Sequence, residues 1–444
     1  MKSLRAALIL FRDEIWRPHR TWVLVFLFVF AAMCVLPIDE TVRHGIGPKD
    51  YGTWWKVGLA SRHGEALYPD SLEENRFNFF YPPAIAPLFY APLSFGGPLF
   101  MVVVLCLLSG LGYLVSLLLG LYLATGKIGG HPAVLYIVPW LIGLPFAWDI
   151  YFLGQLNMTL LAVMLWGFLA LQEKSYKLAG VLFALSAAAK AFPFTVIFYL
   201  IWRKYYAAAI SMLAALAVIL LVLPAPIRGF DRNLNEMRIW CNRMLLHNSG
   251  DALANQPDRA FRFGNQTLIS VVNRLTRPLP VGKAVDKDMT VNIVSLSSNA
   301  SFAIAGIIAG AMGLAFVLAM SYGKAASTMG TTANTQAIEA AIVLIFIVVF
   351  SPKAGSFYYC WVIPGYTVAI AEALRFPKGS SERRWIVGGL VCSLIVLASA
   401  LSQAFTRVPQ GIGVTMWGAV LLYVVLVGIL WNRKRQAFPE GTNS

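Results

Sequence analysis

Long apolar runs recur through the whole chain, and they constrain its fold more than any other feature. A run of roughly 18 or more residues can cross the hydrocarbon of a bilayer, and the stretch from Gly97 to Thr125 holds no charged residue at all. Lipid offers no water to the backbone, so a crossing chain must close its hydrogen bonds within helices or within a closed barrel. The two-residue alternation of barrel strands is absent. With 58% hydrophobic and 13% charged residues, the chain lacks the polar surface of a water-soluble domain. The expected fold class is all-α, a polytopic membrane protein, with about 12 transmembrane helices.

The approximate spans are 21–37, 97–124, 133–148, 155–172, 178–190, 191–203, 205–224, 293–322, 336–352, 357–376, 385–405 and 412–431, with both termini on one side. The pair around 178–203 is short and reads equally as a broken hairpin or as one kinked helix. Basic residues orient the bundle, because cytoplasmic loops retain Lys and Arg. Lys2, Arg5, Arg12, Arg17 and Arg20 fall in the tail 1–20, and Arg433, Lys434 and Arg435 in the tail 432–444. Lys127, Lys174, Lys177, Arg203, Lys204, Lys324, Arg375, Lys378, Arg383 and Arg384 share that inner side. The short outer connections carry only Lys190, Lys353 and Arg407. Between the tails, residues 21–431 read as a single transmembrane domain. Its first run ends at Leu36-Pro37 without a small-residue cleavage site, so it is expected to stay as an anchor.

Two long outer loops, 38–96 and 225–292, interrupt this pattern. The first is mildly acidic, with Asp39, Glu40, Asp50, Glu65, Asp70, Glu73 and Glu74, whereas the second is rich in arginine. Residues 82–95 are apolar but broken by proline, which fits a juxtamembrane helix lying at the interface. The net charge of +15 follows topology and gives no reason to expect nucleic acid. Five scattered cysteines and five histidines without ligand spacing form neither a disulfide nor a metal framework.

Carboxylates are scarce, so their positions inform. Asp50 lies just beyond the first span, followed by Tyr51, Trp54 and Trp55, and is the leading candidate for a chemical centre; a solvated loop charge or a helix cap is the plainer role. Asp149, in Trp148-Asp149-Ile150-Tyr151, is a possible second carboxylate or an N-cap. Gln155 and Asn157, in Gly154-Gln155-Leu156-Asn157, put two amides at the membrane surface, able to grip sugar hydroxyls or to cap a helix. Asn265 and Gln266 repeat that pair in the basic loop. Lys190 and Lys353 lie at the outer boundary, where a cation either snorkels or meets an anion such as a lipid phosphate. Tyr358 and Tyr359 fit an interfacial aromatic belt or a sugar-stacking surface. Glu339 and Glu372 lie near inner helix ends, where they can snorkel. No phosphate-binding glycine loop and no hydrolase nucleophile motif occurs.

In order, the early carboxylate, Gly-Glu-Ala-Leu-Tyr, Phe-Phe-Tyr-Pro-Pro, Gly-Gln-Leu-Asn, Ala-Lys-Ala-Phe-Pro, Gly-Asn-Gln-Thr-Leu and Ser-Pro-Lys resemble the GT-C membrane glycosyltransferases. The series is most similar to the bacterial polyprenol-phosphate-mannose-dependent alpha-mannosyltransferases, the PimE type, and runs from about Trp22 to Trp431. That resemblance implies a GT-C type bundle in the bacterial cytoplasmic membrane with its site facing outward. It implies Asp50 as the catalytic base, and Lys190, Lys353, Gln155, Asn157, Asn265, Gln266, Tyr358 and Tyr359 as residues binding the donor phosphate or sugar. The implied reaction moves mannose from a polyprenyl-phosphate donor to a glycan or glycolipid acceptor, with inversion at the anomeric carbon. No cofactor and no metal is expected. The chain departs from the family after Ser351-Pro352, where a Trp and one or two His are expected and Lys353, Gly355, Ser356, Tyr358 and Tyr359 stand instead.

Two other readings compete. A glycan ligase or polymerase would use a diphosphate-linked donor. A lipid or solute transporter would also suit about 12 spans with both ends inside, but no repeat relates the two halves, and the polar sequence gathers in two outer loops rather than at mid-membrane.

Overall fold

Apolar runs of this length can satisfy their backbone only as helices, and in the computed structural model every regular element among the described residues is helical. The structure describes residues 17–68, 79–242, 261–280, 289–320, 332–404 and 407–437. Asp70, Glu73, Glu74, the Phe77-Asn78 start of the aromatic element, Lys324 and most of both tails lie outside the described residues.

In chain order the helices are α1 (Arg17–His44), α2 (Asp50–Arg62), α3 (Gly97–Thr125), α4 (Val134–Leu153), α5 (Asn157–Gln172), α6 (Tyr176–Ala189), α7 (Val196–Trp202) and α8 (Tyr206–Ala217). They are followed by α9 (Phe230–Trp240), α10 (Leu268–Thr276), α11 (Ser298–Ala319), α12 (Thr332–Val349), α13 (Ile363–Arg375), α14 (Ser381–Ala398) and α15 (Val414–Ala437). Among the described residues, 7 helices are long and apolar enough to cross a membrane: α1, α3, α4, α11, α14, α15 and the continuous Tyr206–Arg228 that α8 begins. Four apolar helices are shorter, Asn157–Gln172, Tyr176–Ala189, Phe192–Trp202 and Thr335–Val349. The segments expected as about 12 spans therefore form helices of unequal length. The 178–203 pair is a broken helix, interrupted at Lys190 and resumed by a 3-10 turn at Phe192–Thr195. The 357–376 segment opens with a 3-10 turn, Ser356–Val362, before α13 begins.

The first span runs past Pro37 to His44. Proline removes one backbone donor inside a helix, yet the helix continues, and Thr41 donates its hydroxyl to the Pro37 carbonyl at 2.6 Å.

One continuous core joins α3 to α8 with α12, α13 and α15, and Trp361 and Tyr366 are fully buried in it. A second cluster seats α2 through Tyr51, Trp54 and Val57 against Tyr90, Met101, Leu105, Tyr151 and Trp240. Gly58 makes that seat possible, since a Cβ there would lie 2.4 Å from the Tyr90 carbonyl oxygen. Within residues 82–95, expected as an interfacial helix, 86–94 form one π turn and one short α turn packed on α2. Arg228 ties the far end of α2 down, donating to the carbonyls of Ser61 at 3.2 Å and Glu65 at 2.7 Å while pairing with buried Glu236.

Glu339 and Glu372 do not snorkel. Glu339 is 1% exposed, 3.2 Å from Arg203, and accepts from the Tyr199 hydroxyl at 2.9 Å. Glu372 pairs with Arg433 at 2.6 Å and Arg375 at 3.1 Å. Helices α7, α12, α13 and α15 bring these partners together, so each carboxylate finds a cation inside the bundle.

Candidate functional site

Asp50 is the first residue of α2, where the helix dipole favours a negative charge. Lys49 precedes it with φ 49° and ψ −124°, a left-handed backbone that strains a residue with a Cβ. Backbone strain of this kind collects at functional positions. Helix α2 is held in register from below: Tyr51 donates its hydroxyl to the Tyr151 carbonyl at 2.9 Å, and Trp54 donates its indole N–H to the Gly154 carbonyl at 2.7 Å.

Gly154 ends α4 in the left-handed conformation, φ 76°, and its N–H closes on the Ile150 carbonyl at 2.9 Å. A Cβ at Gly154 would meet the Tyr51 ring at 2.8 Å. The turn aims Gln155 across at α2, and Gln155 Nε2 donates to Asp50 Oδ2 at 2.5 Å. Gln155 and Asn157 are both buried, and neither caps α5, which begins without a side-chain cap.

Lys190 arrives from the opposite side. Helix α6 stops at Ala189 because Lys190 turns to extended backbone, φ −144° and ψ 123°, and Pro193 opens the next turn. The break directs a buried ammonium into the cluster. Lys190 Nζ donates to Gln155 Oε1 at 2.6 Å and to Asn157 Oδ1 at 2.5 Å. Aromatic rings surround it, Tyr358 at 4.6 Å and Tyr81 at 4.9 Å from the ring centres, in range for cation–π attraction. Tyr81 also donates its hydroxyl to Gln155 Oε1 at 3.0 Å.

The electrostatics of Asp50 have two opposing parts. Burial raises its pKa above the usual carboxylate value, and this is the largest effect; the Gln155 hydrogen bond and the charges of Lys190, Lys353 and Lys49 pull it back. One half-buried carboxylate thus stands within the field of three lysines. Lys353 itself lies 4.4 Å from the centre of the Phe80 ring.

The structure therefore gathers Asp50, Gln155, Asn157, Lys190 and Tyr358, with Lys353 in electrostatic reach of Asp50. The remaining candidates have other partners. Asn265 donates to the Pro352 carbonyl at 3.3 Å and accepts from the Ala354 N–H at 3.1 Å. Gln266 donates to the carbonyls of Phe263 at 2.6 Å and Gln410 at 2.8 Å, and its own carbonyl accepts from the Tyr359 hydroxyl. These three residues fasten the 263–267 turn to the segment after α12. Asp149 sits inside the last turns of α4, so it is not an N-cap, and it accepts from the Ser356 hydroxyl at 2.6 Å.

Sequence reasoning passed over Tyr81 and Lys49 as site residues. Tyr81 stood in a noted Tyr-Pro-Pro element, but only the fold shows that its ring and hydroxyl reach Lys190 and Gln155. Lys49 was visible as the neighbour of Asp50, and its backbone strain was not.

A small cavity opens between Trp54, Tyr81, Tyr90, Gln155 and Lys190. Trp54 stacks flat on Tyr90 along its wall, ring centres 5.0 Å apart. A lysine, an amide and aromatic faces line this cavity, and the Asp50 carboxylate stands one hydrogen bond behind the amide; such groups can hold an anion, stack on a ring and accept a proton.

No curated protein and no solved structure matches the chain. Residues 79–352 match the model of glycosyltransferase family 87. The match begins after Asp50 and takes in Gln155, which meets that carboxylate, Lys190 and Tyr81, which meet Gln155, and Asn157, which meets Lys190. Because the match spans more than half of its 444 residues, this polytopic membrane chain belongs to glycosyltransferase family 87.

Proposed function

We propose that the protein transfers mannose from a polyprenyl-phosphate donor to a glycan or glycolipid acceptor on the outer face of the bacterial cytoplasmic membrane, inverting the anomeric carbon. Its fold is then of the GT-C type. The observation that carries this reading is the half-buried Asp50 carboxylate linked through one amide to buried Lys190. The basic residues at the opposite end of the bundle support an outward-facing site.

The acceptor hydroxyl attacks the anomeric carbon while Asp50 takes its proton. The bond from that carbon to the phosphate oxygen breaks, and its electron pair stays on the phosphate. A phosphodiester bearing one negative charge becomes a monoester bearing about two. No acid need protonate such a leaving group. Lys190, with Lys353 and Lys49 nearby, would meet the charge as it develops, an effect realised mainly in the transition state. Lysines rather than a metal fill that role here, so chelation with EDTA is expected to leave transfer unchanged.

The test is transfer of radiolabelled mannose from polyprenyl-phosphate-mannose in membranes carrying wild type or Asp50→Asn, with folding checked by thermal melting. Transfer by the wild type and a loss of ~10²–10⁴-fold in the variant are expected. Equal transfer by both would remove Asp50 from the mechanism. Transfer only from a diphosphate-linked donor would favour a ligase, and no transfer from either donor would favour a transporter.

A further inference from the structure

We propose that Gln155 is a positioning residue that couples occupancy of Lys190 by a lipid phosphate to the release of Asp50. The proposal rests on the donor reading given above. An ammonium can only donate and a carboxylate can only accept. Gln155 Oε1 accepts from Lys190 at 2.6 Å and from Tyr81 at 3.0 Å, so its Nε2 must face Asp50, which it reaches at 2.5 Å. The amide has one orientation and no alternative. With Gln155 only 3% exposed, water does not compete for either end.

This arrangement keeps the two charges one amide apart. A direct Lys190–Asp50 ion pair would hold the ammonium away from phosphate and the carboxylate away from the acceptor hydroxyl. Through the amide, one change reaches both groups. A phosphate anion drawing Lys190 Nζ toward itself removes the stronger of the two donors that anchor Gln155 Oε1. Tyr81 alone then orients the amide, the Nε2 bond to Asp50 slackens, and the carboxylate is freed to take a proton. The base becomes competent when the donor is in place.

Infrared difference titration of the full-length protein in lipid nanodiscs reads the Asp50 carboxyl band directly, identified by its loss in Asp50→Asn. Undecaprenyl phosphate is the probe. In the wild type the probe is expected to raise the midpoint of that band, because it adds an anion and relaxes the amide bond. In Gln155→Met the probe-free midpoint is expected to lie higher than in the wild type, and the probe to displace it less. Gln155→Glu is the second variant should the first fail to fold; it places an acceptor against Asp50 and is expected to raise the probe-free midpoint as well. Undecaprenyl phosphate that fails to raise the wild-type melting temperature overturns the donor reading and the coupling with it. Stabilisation by the probe together with an unchanged midpoint and displacement in Gln155→Met overturns the coupling alone.

Discussion

Lys190 Nζ lies 2.5 Å from Asn157 Oδ1, so the break after α6 is fastened to the first residue of α5. The backbone of the same asparagine accepts from Trp361 Nε1 at 3.2 Å, and its Nδ2 reaches the Phe357 carbonyl at 3.4 Å. The lysine is thus built into three segments at once, so its backbone is placed before any ligand arrives and only Nζ need shift toward a phosphate. Preorganised charge of this kind acts on a transition state without reorganisation at the moment of reaction. Lys190→Met is expected to reduce transfer by ~10²–10³-fold, with loss in both kcat and donor affinity. Its melting temperature is expected to fall, because buried Asn157 Oδ1 loses its donor, while the end of lysine burial offsets part of that loss. Transfer kinetics beside a melting curve check both halves, and an unchanged rate would refute the role given to Lys190.

The pH dependence follows from the burial of Asp50. Burial is the leading effect on its pKa and raises it, and the Gln155 bond and neighbouring lysines oppose that rise without cancelling it. The acidic limb of kcat/KM is therefore expected above the ordinary carboxylate value of about 3.9. A group with a raised folded-state pKa contributes stability below the unfolded value and loses it as pH rises through the folded value. Ionised Asp50 thus costs stability at neutral pH. Asp50→Asn is expected to melt higher than the wild type at pH 7, and the difference is expected to vanish as pH falls to the ordinary carboxylate value. Melting both proteins across that range decides it; a variant less stable at pH 7 would overturn the sign.

The sequence made the helical bundle legible because hydrophobic length is a local property, read off any window of residues. It also singled out Asp50, Gln155, Asn157, Lys190 and Tyr358, which the fold brings together from α2, the α4–α5 turn, α5, the α6 break and the turn before α13. Other things were out of reach for physical reasons. An Asn-Gln pair looks alike whether its amides meet a sugar or a backbone, and only the fold shows Asn265 and Gln266 bonded to the carbonyls of Pro352, Phe263 and Gln410. Glu339 and Glu372 read as snorkelling groups because Arg203 and Arg433 are distant in sequence, with Arg375 alone lying one turn from Glu372. Helix length was harder to read than helix existence, since several apolar helices that line the core are shorter than the ~20 residues of a straight span.

Gly154 tests how tightly the site depends on one turn. Its φ of 76° disfavours any residue with a Cβ, and the Tyr51 ring occupies the space that Cβ would take. Gly154→Ala is expected to cost ~1–2 kcal/mol from the left-handed conformation alone, and more from displacing Tyr51. Because Gln155 is the next residue, the turn's distortion should move the amide off Asp50. Transfer is expected to fall more than stability accounts for, measured as specific activity of the folded fraction. A loss fully explained by the unfolded fraction would show that the turn serves the fold only.

Arg274 is a different kind of buried charge. It is 1% exposed, lies on α10 outside the Asp50 cluster, and donates to neutral oxygens: Gly411 at 2.7 Å, Asn265 at 2.7 Å, Arg262 at 2.8 Å, Phe261 at 3.2 Å and the Ser270 hydroxyl at 2.8 Å. A guanidinium presents five N–H donors in a rigid fork, which lets one side chain close several backbone carbonyls that the irregular 261–265 turn leaves open. Removing it strands those acceptors away from water, at a cost of about 3 kcal/mol or more in total. Arg274→Met is therefore expected to lower the melting temperature sharply while the protein that remains folded keeps its donor affinity, because Lys190 and Asp50 do not depend on α10 for contact. Arg274→Lys is expected to recover little, since one ammonium reaches fewer of these oxygens. A variant that melts like the wild type but binds undecaprenyl phosphate weakly would instead assign Arg274 to the donor site.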